Sequence, residues 1–189
     1  MELVIAKKDA VVSQVLEKVF LALFFVAAIS LGAFVRVPLP FTPVPLTLQT
    51  FFVLLSAACL GLKWSVSVQV AYILLGVIGL PVFTGANAVV FYLTGPTAGY
   101  IFGFIVAAAF ISLFLKSLGK NFILVVCLFC IADLFLLLCG ALWLKISLRI
   151  SLMHSFLIGL VPFIVGDIFK AFLSASLFWA IRPRIKSIQ

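Results

Sequence analysis

Apolar residues run continuously through six stretches of this chain, at about 16–37, 46–62, 64–80, 97–117, 121–145 and 155–181. A helix crossing the hydrocarbon core of a bilayer needs roughly 17 to 25 such residues. A barrel strand would instead alternate apolar and polar positions in segments of about ten. The pattern therefore predicts an all-α integral membrane protein with six transmembrane helices, in a single membrane domain covering residues 1–189. Only the sequence GLKW separates the second stretch from the third, which predicts a tight hairpin there.

Composition supports that class. Of the 189 residues, 66% are hydrophobic and 10% charged, and the mean hydropathy is +1.42, far from the makeup of a water-soluble domain. The net charge of +8 does not point to nucleic acid, because the Lys and Arg residues are scattered singly between apolar runs and form no stripe with interleaved aromatics. It does set an orientation. With the N-terminus inside, Lys7, Lys8, Lys18, Lys63, Lys116, Lys120, Arg182, Arg184 and Lys186 fall at inner ends, against Arg36, Lys145 and Arg149 at outer ones. Nine against three predicts that both termini are cytoplasmic. The opening segment MELVIAKKDAVVSQVLEKVF mixes acids with bases and is too polar to begin a secretory signal, so the first apolar run reads as a retained span.

Two outer connections are unusual. Residues 38–45, PLPFTPVP, carry four prolines that remove backbone donors and forbid helix, which predicts a stiff extended segment. Residues 81–96, PVFTGANAVVFYLTGP, contain no charge and have apolar residues in their middle, so they are expected to fold back over the protein. Together the two would roof a cavity on the outer side.

Asp167 and Lys170, three positions apart, share one face of the last predicted helix. Asp167 lies about 12 residues from the outer end of that stretch, near mid-bilayer at ~1.5 Å per residue, with Lys170 a turn deeper. A lone charge at that depth costs roughly 2.5–3.5 kcal/mol. Two readings follow. The pair, with Asp133 of the fifth stretch as a third member, fixes helix packing; or it faces a cavity and completes its bonding with a ligand. Gly159, Pro162 and Gly166 open space on the same helix and favour the cavity wall. Thr47 and Gln49 stand at the outer mouth of the second stretch, where Gln49 offers a donor and an acceptor either to a ligand or to the neighbouring loop backbone. Asn87 either contacts a ligand or satisfies its own turn; Tyr100 is either a ligand contact or an interfacial anchor.

Several chemistries have no residues to carry them. SLGKN at 117–121 lacks the first glycine and the final hydroxyl of a phosphate loop, so the chain is not expected to hydrolyse ATP alone. No HExxH, GxSxG or carboxylate cluster is present, which disfavours an enzyme or a metal site. Cys127 and Cys130 form a lone CxxC inside an apolar run, far from the single histidine His154, and read as packing residues beside Cys59 and Cys139. Ala28, Gly32 and Ala33 place small residues on one face of the first helix, suited to close approach by a helix of this chain or of a partner. In the second case Gly32→Leu is expected to abolish assembly and spare ligand binding.

FTPVPLTLQTF at 41–51, LLGVIGLPVFTG at 74–85, GPTAGYIFGF at 95–104 and VPFIVGDIFKAFLSA at 161–175 together resemble the BioY family, the biotin-binding S components of energy-coupling factor (ECF) transporters. The resemblance covers nearly the whole chain in order. It implies an S-component fold in a bacterial cytoplasmic membrane, capture of biotin from outside, no cofactor, and association with a transmembrane coupling protein and two cytosolic ATPases. It places substrate contacts at Asp167 and Lys170, near Gly85 and Asn87, at Tyr100, and at Thr47 and Gln49. A buried Asp would accept from the ureido N–H groups of biotin, Lys170 would neutralise it and donate to a ligand carbonyl or carboxylate, and Phe and Leu side chains would line the apolar ring. Other readings are an S component for another small vitamin or lipoate-like acid, facilitated transport without an ATPase, and a structural or assembly subunit in which the charges only hold helices together.

Overall fold

A computed structural model describes residues 2–83 and 94–185, with side chains over 12–83 and 94–183. It is helical throughout apart from one two-residue ladder. In chain order the elements are α1 (Glu2–Phe34), β1 (Arg36–Val37), β2 (Leu46–Thr47), α2 (Gln49–Leu60), α3 (Leu62–Val77), α4 (Ala98–Leu118), α5 (Phe122–Leu148), α6 (Leu152–Gly159) and α7 (Ile164–Ile185). Among the described residues, four stretches are long and apolar enough to cross a membrane: Val12–Phe34, Ala98–Leu118, Phe122–Leu148 and Ile164–Pro183. At 12 and 16 residues, α2 and α3 are shorter than a full crossing.

Each long helix buries one face and presents large apolar residues on the other. On α1, Phe25, Val26, Ile29 and Ala33 pack inward, while Phe20, Phe24 and Leu31 point out. In water such a surface would be a liability, whereas in lipid it costs nothing. Cohesion then depends on close packing. Gly99 and Gly103 on α4 bring that helix onto α5: a β-carbon at Gly99 would lie 2.7 Å from the Cys139 carbonyl, and one at Gly103 3.0 Å from that of Leu136. Trp143 of α5 donates its indole N–H to the Gly95 carbonyl at 2.9 Å, fixing the entry to α4.

The proline-rich segment departs from the stiff extended form. It turns back on itself, with the Thr42 N–H reaching the Leu39 carbonyl at 3.4 Å, and its ends are joined where β1 pairs antiparallel with β2, Arg36 opposite Thr47 and Val37 opposite Leu46. Pro40 sits where a turn favours proline, so the prolines shape a reversal as well as excluding helix. The Leu48 N–H then meets the Gly32 and Val35 carbonyls at 3.3 and 3.1 Å, tying the end of α1 to the start of α2. Gly61 alone links α2 to α3, at φ 73°, a conformation that favours glycine.

The last expected stretch, 155–181, is two helices. α6 ends at Gly159, and the chain turns through Leu160–Phe163 before α7 begins. Pro162 has no N–H to continue α6 and disfavours helix at the residue before it. Asp167 therefore stands in the first turn of α7, not 12 residues along one continuous helix. Exposed amide N–H groups and the helix dipole favour an acid there.

The three small residues of α1 are also relocated. Ala28, Gly32 and Ala33 are buried within the chain, and a β-carbon on Gly32 would come within 3.1–3.2 Å of the Gln49 and Leu48 backbone. Gly32 lets α2 approach α1, and all three residues face the chain's own interior, as the within-chain reading expects. Of the two CxxC cysteines, Cys127 is exposed on α5 and Cys130 half-buried; Cys59 is buried in the core.

Candidate ligand-binding site

The starts of α2, α4 and α7 meet around a cavity of about 50 Å³. Thr47, Gln49, Tyr100, Asp167 and Lys170, which the sequence singles out separately, all line it. Gly85 and Asn87 lie outside the described residues. Phe104, Leu136, Leu137 and Phe163 supply apolar walls, and the far side is closed by Val44, Pro45 and Leu46 of the proline-rich reversal.

The polar side of this cavity is built around Lys170, of which only 8% is exposed. Its ammonium is paired with the Asp167 carboxylate, and it donates to the Thr47 main-chain carbonyl at 2.9 Å and to the Thr50 hydroxyl at 2.6 Å. A lysine has three protons to give. Two go to the neutral oxygens of Thr47 and Thr50, and Asp167 stands beside the same ammonium as its ion-pair partner. Helical spacing brings Asp167 and Lys170 together, and the reversal at 38–45 returns the chain so that β2 and the first turn of α2 offer two neutral oxygens to the same cation.

Asp133, 3% exposed, lies on α5 within electrostatic range of both Asp167 and Lys170. Among the described residues its Oδ1 has no hydrogen-bond partner. It does not line the cavity, so it forms part of the charge cluster behind the wall.

Gln49 bonds a side chain, not the loop backbone. Its amide N–H donates to the Tyr72 hydroxyl at 2.6 Å, its carbonyl oxygen is 3.4 Å from the Thr47 hydroxyl, and Tyr72 in turn donates to the Val82 carbonyl at 3.3 Å. Tyr100 donates to the Gly159 carbonyl at 2.5 Å, satisfying an oxygen freed where α6 ends, and its ring lies near Phe163 with centroids 6.1 Å apart. Both Gly140 and Gly159 make room for it: a β-carbon on Gly140 would run into the ring, and one on Gly159 would stand 2.8 Å from the hydroxyl.

Sequence reasoning missed Thr50, Thr97 and Tyr72. Thr50 follows Gln49 within the same quoted element, and Tyr72 places a hydroxyl in mid-span; each was a polar atom needing a partner in an apolar run. Neither had a visible partner, because the contacts that explain them span 120 and 23 positions.

The BioY family model matches residues 6–187. The chain belongs to the BioY family. Among BioY relatives, a probable biotin transporter from Pyrococcus horikoshii is 37% identical over 155 residues, covering 82% of this chain and 90% of its own. The biotin transporter of Thermotoga maritima is 49% identical over a shorter stretch of 89 residues, 47% of this chain and 52% of its own. The fold is similar to the crystal structure of the S component for biotin from an ECF-type ABC transporter, with a TM-score of 0.83 and 30% identity over 90% of this chain and 93% of that one. The site described above thus sits in a BioY chain with the S-component fold.

Proposed function

We propose that this BioY chain captures biotin and carries it into the cell as the substrate-binding S component of an ECF transporter. The observation that carries this reading is the match to the biotin S component over nine-tenths of the chain, together with a buried acid–base pair on a cavity wall.

In this reading the two members of the pair have different tasks. Lys170 is already engaged by protein oxygens on three sides, as an ion pair with Asp167 and as a donor to Thr47 and Thr50. It holds Asp167 aligned, and Asp167 accepts the ureido N–H groups. The Phe104, Phe163 and Leu136 wall receives the apolar ring, and Tyr100 and Gln49 border the polar end. The cavity of about 50 Å³ holds only a few water-sized groups, so biotin enters as its walls part.

α1, α4, α5 and α7, with the shorter α2 and α3 between them, make six passes with both termini cytoplasmic, and the reversal at 38–45 fills the end above α2. α6 caps the outer end. The chain has no phosphate loop, and ATP is hydrolysed by two cytosolic ATPase subunits acting through a transmembrane coupling protein. The setting is the bacterial cytoplasmic membrane. The decisive experiment is calorimetry of the purified chain with biotin, dethiobiotin and lipoate. Saturable binding of biotin above the other two is expected, and equal or stronger binding of lipoate would overturn the assignment.

A further inference from the structure

The end of the bundle opposite Asp167 holds a second and larger cavity. It occupies about 500 Å³ where the inner part of α1, the Gly61 turn and the end of α4 converge, and Lys18, Lys63 and Lys116 stand around it, one from each. Among the described residues none of the three has a carboxylate within 4 Å. The floor is apolar, formed by Ala57, Ala58, Leu60 and Leu115, with one hydroxyl, Ser112, already bonded to the Ala57 carbonyl at 2.8 Å.

Beside it runs an almost wholly apolar groove of about 220 Å³ between α1 and α3, walled by Ala22, Leu23 and Val26 on one side and Val68 and Ala71 on the other. Trp64 borders both spaces. A set of uncompensated cations over an apolar floor, opening beside an apolar furrow with an indole at the junction, matches the layout of a lipid at the membrane interface: charge at the headgroup, an aromatic at its level, hydrocarbon beyond. The neighbouring basic cavity lined by Lys120, Trp179 and Arg182 differs, because Arg182 is already engaged by the Gly119 carbonyl at 2.5 Å and by the Trp179 ring at 4.7 Å.

We propose that Lys18, Lys63 and Lys116 hold the headgroup of one anionic phospholipid, whose acyl chain lies along Trp64 in the groove between α1 and α3. The phosphodiester oxygens accept from the ammonium groups, and a zwitterionic headgroup is disfavoured because its own cation would enter the same cluster. Such a lipid links three elements that otherwise repel one another at this end. The assignment does not depend on the ligand bound at Asp167.

The test uses the full chain in detergent, titrated with phosphatidylglycerol, phosphatidylcholine and inorganic phosphate and read by native mass spectrometry. One phosphatidylglycerol per chain should be retained and phosphatidylcholine lost. The variant K18Q/K63Q/K116Q should lower that retention by about tenfold or more, and each single substitution by about two- to fivefold, with biotin binding unchanged at the far end. Ala71→Phe, which fills the groove, should also reduce retention, while K120Q should not. Equal retention of the two lipids, or a triple variant that keeps the wild-type preference, would overturn the proposal. So would displacement by inorganic phosphate at equal concentration, which would mark a free-anion site. A triple variant that keeps its lipid and loses only the transporter complex would mark a protein contact instead.

Discussion

Lys170 on α7 donates to the main-chain carbonyl of Thr47 on β2, 2.9 Å away and 123 positions earlier in the chain. That bond makes the proline-rich reversal and the charged helix parts of one site. It also means that the lysine's environment is set by backbone, which no side-chain substitution at residue 47 can remove.

Lys170→Met should be far more damaging to stability than its size suggests. It strands the Asp167 carboxylate in a nearly dry site, and breaking a buried pair from one side costs about 3–5 kcal/mol. Asp167→Asn combined with Lys170→Met should recover most of that loss, yet neither variant should bind biotin. Thermal melts with and without biotin separate the two effects; a double variant melting no better than Lys170→Met would show that the pair is not the source of the loss.

Thr50→Val keeps the side chain's shape and deletes one of the lysine's acceptors. Hydrogen bonds to charged groups contribute about 1.5–3 kcal/mol, so biotin affinity measured by calorimetry should fall about tenfold or more, with Thr50→Ser close to wild type. If valine and serine behave alike, the hydroxyl at 2.6 Å has no part in binding.

Gly32→Leu is expected to strike the ligand site, not assembly. Its β-carbon would press on the Gln49 and Leu48 backbone at 3.1–3.2 Å, and overpacking of that kind costs about 1–3 kcal/mol. Displacing the start of α2 moves Gln49 and Thr50 together. Binding by the isolated subunit is the measurement; wild-type affinity alongside a lost transporter complex would restore the docking role.

Gly140→Ala should weaken biotin binding from the opposite wall, by driving the Tyr100 ring off its bond to the Gly159 carbonyl. Combining it with Tyr100→Leu should cost less stability than the sum of the two single changes, since the pair shares one space. Strict additivity in thermal unfolding would exclude the steric link.

What the sequence made legible follows from what each signal encodes. Apolar run length located the helices, because lipid demands it, and charge cost drew attention to Asp167 and Lys170. Thr47, Gln49 and Tyr100 stood out as polar positions at the mouths of apolar runs, and the motifs that resemble the family include them again. The break between α6 and α7 was hidden: apolar character continues unbroken from Phe156 through Phe163, and hydropathy does not register the missing N–H of Pro162. Ala28, Gly32 and Ala33 announced a close approach without naming the neighbour, since small residues permit contact with any helix. Tyr72 and Thr50 depend on partners fixed only by the tertiary fold.

The two-residue ladder between Arg36 and Thr47 has a mechanical meaning. Residues 38–45 leave and re-enter the structure at one stapled point, and that point is adjacent to the carbonyl that anchors Lys170. Any displacement of this reversal must pivot about the staple, which holds the Thr47 carbonyl in register with the ammonium below it.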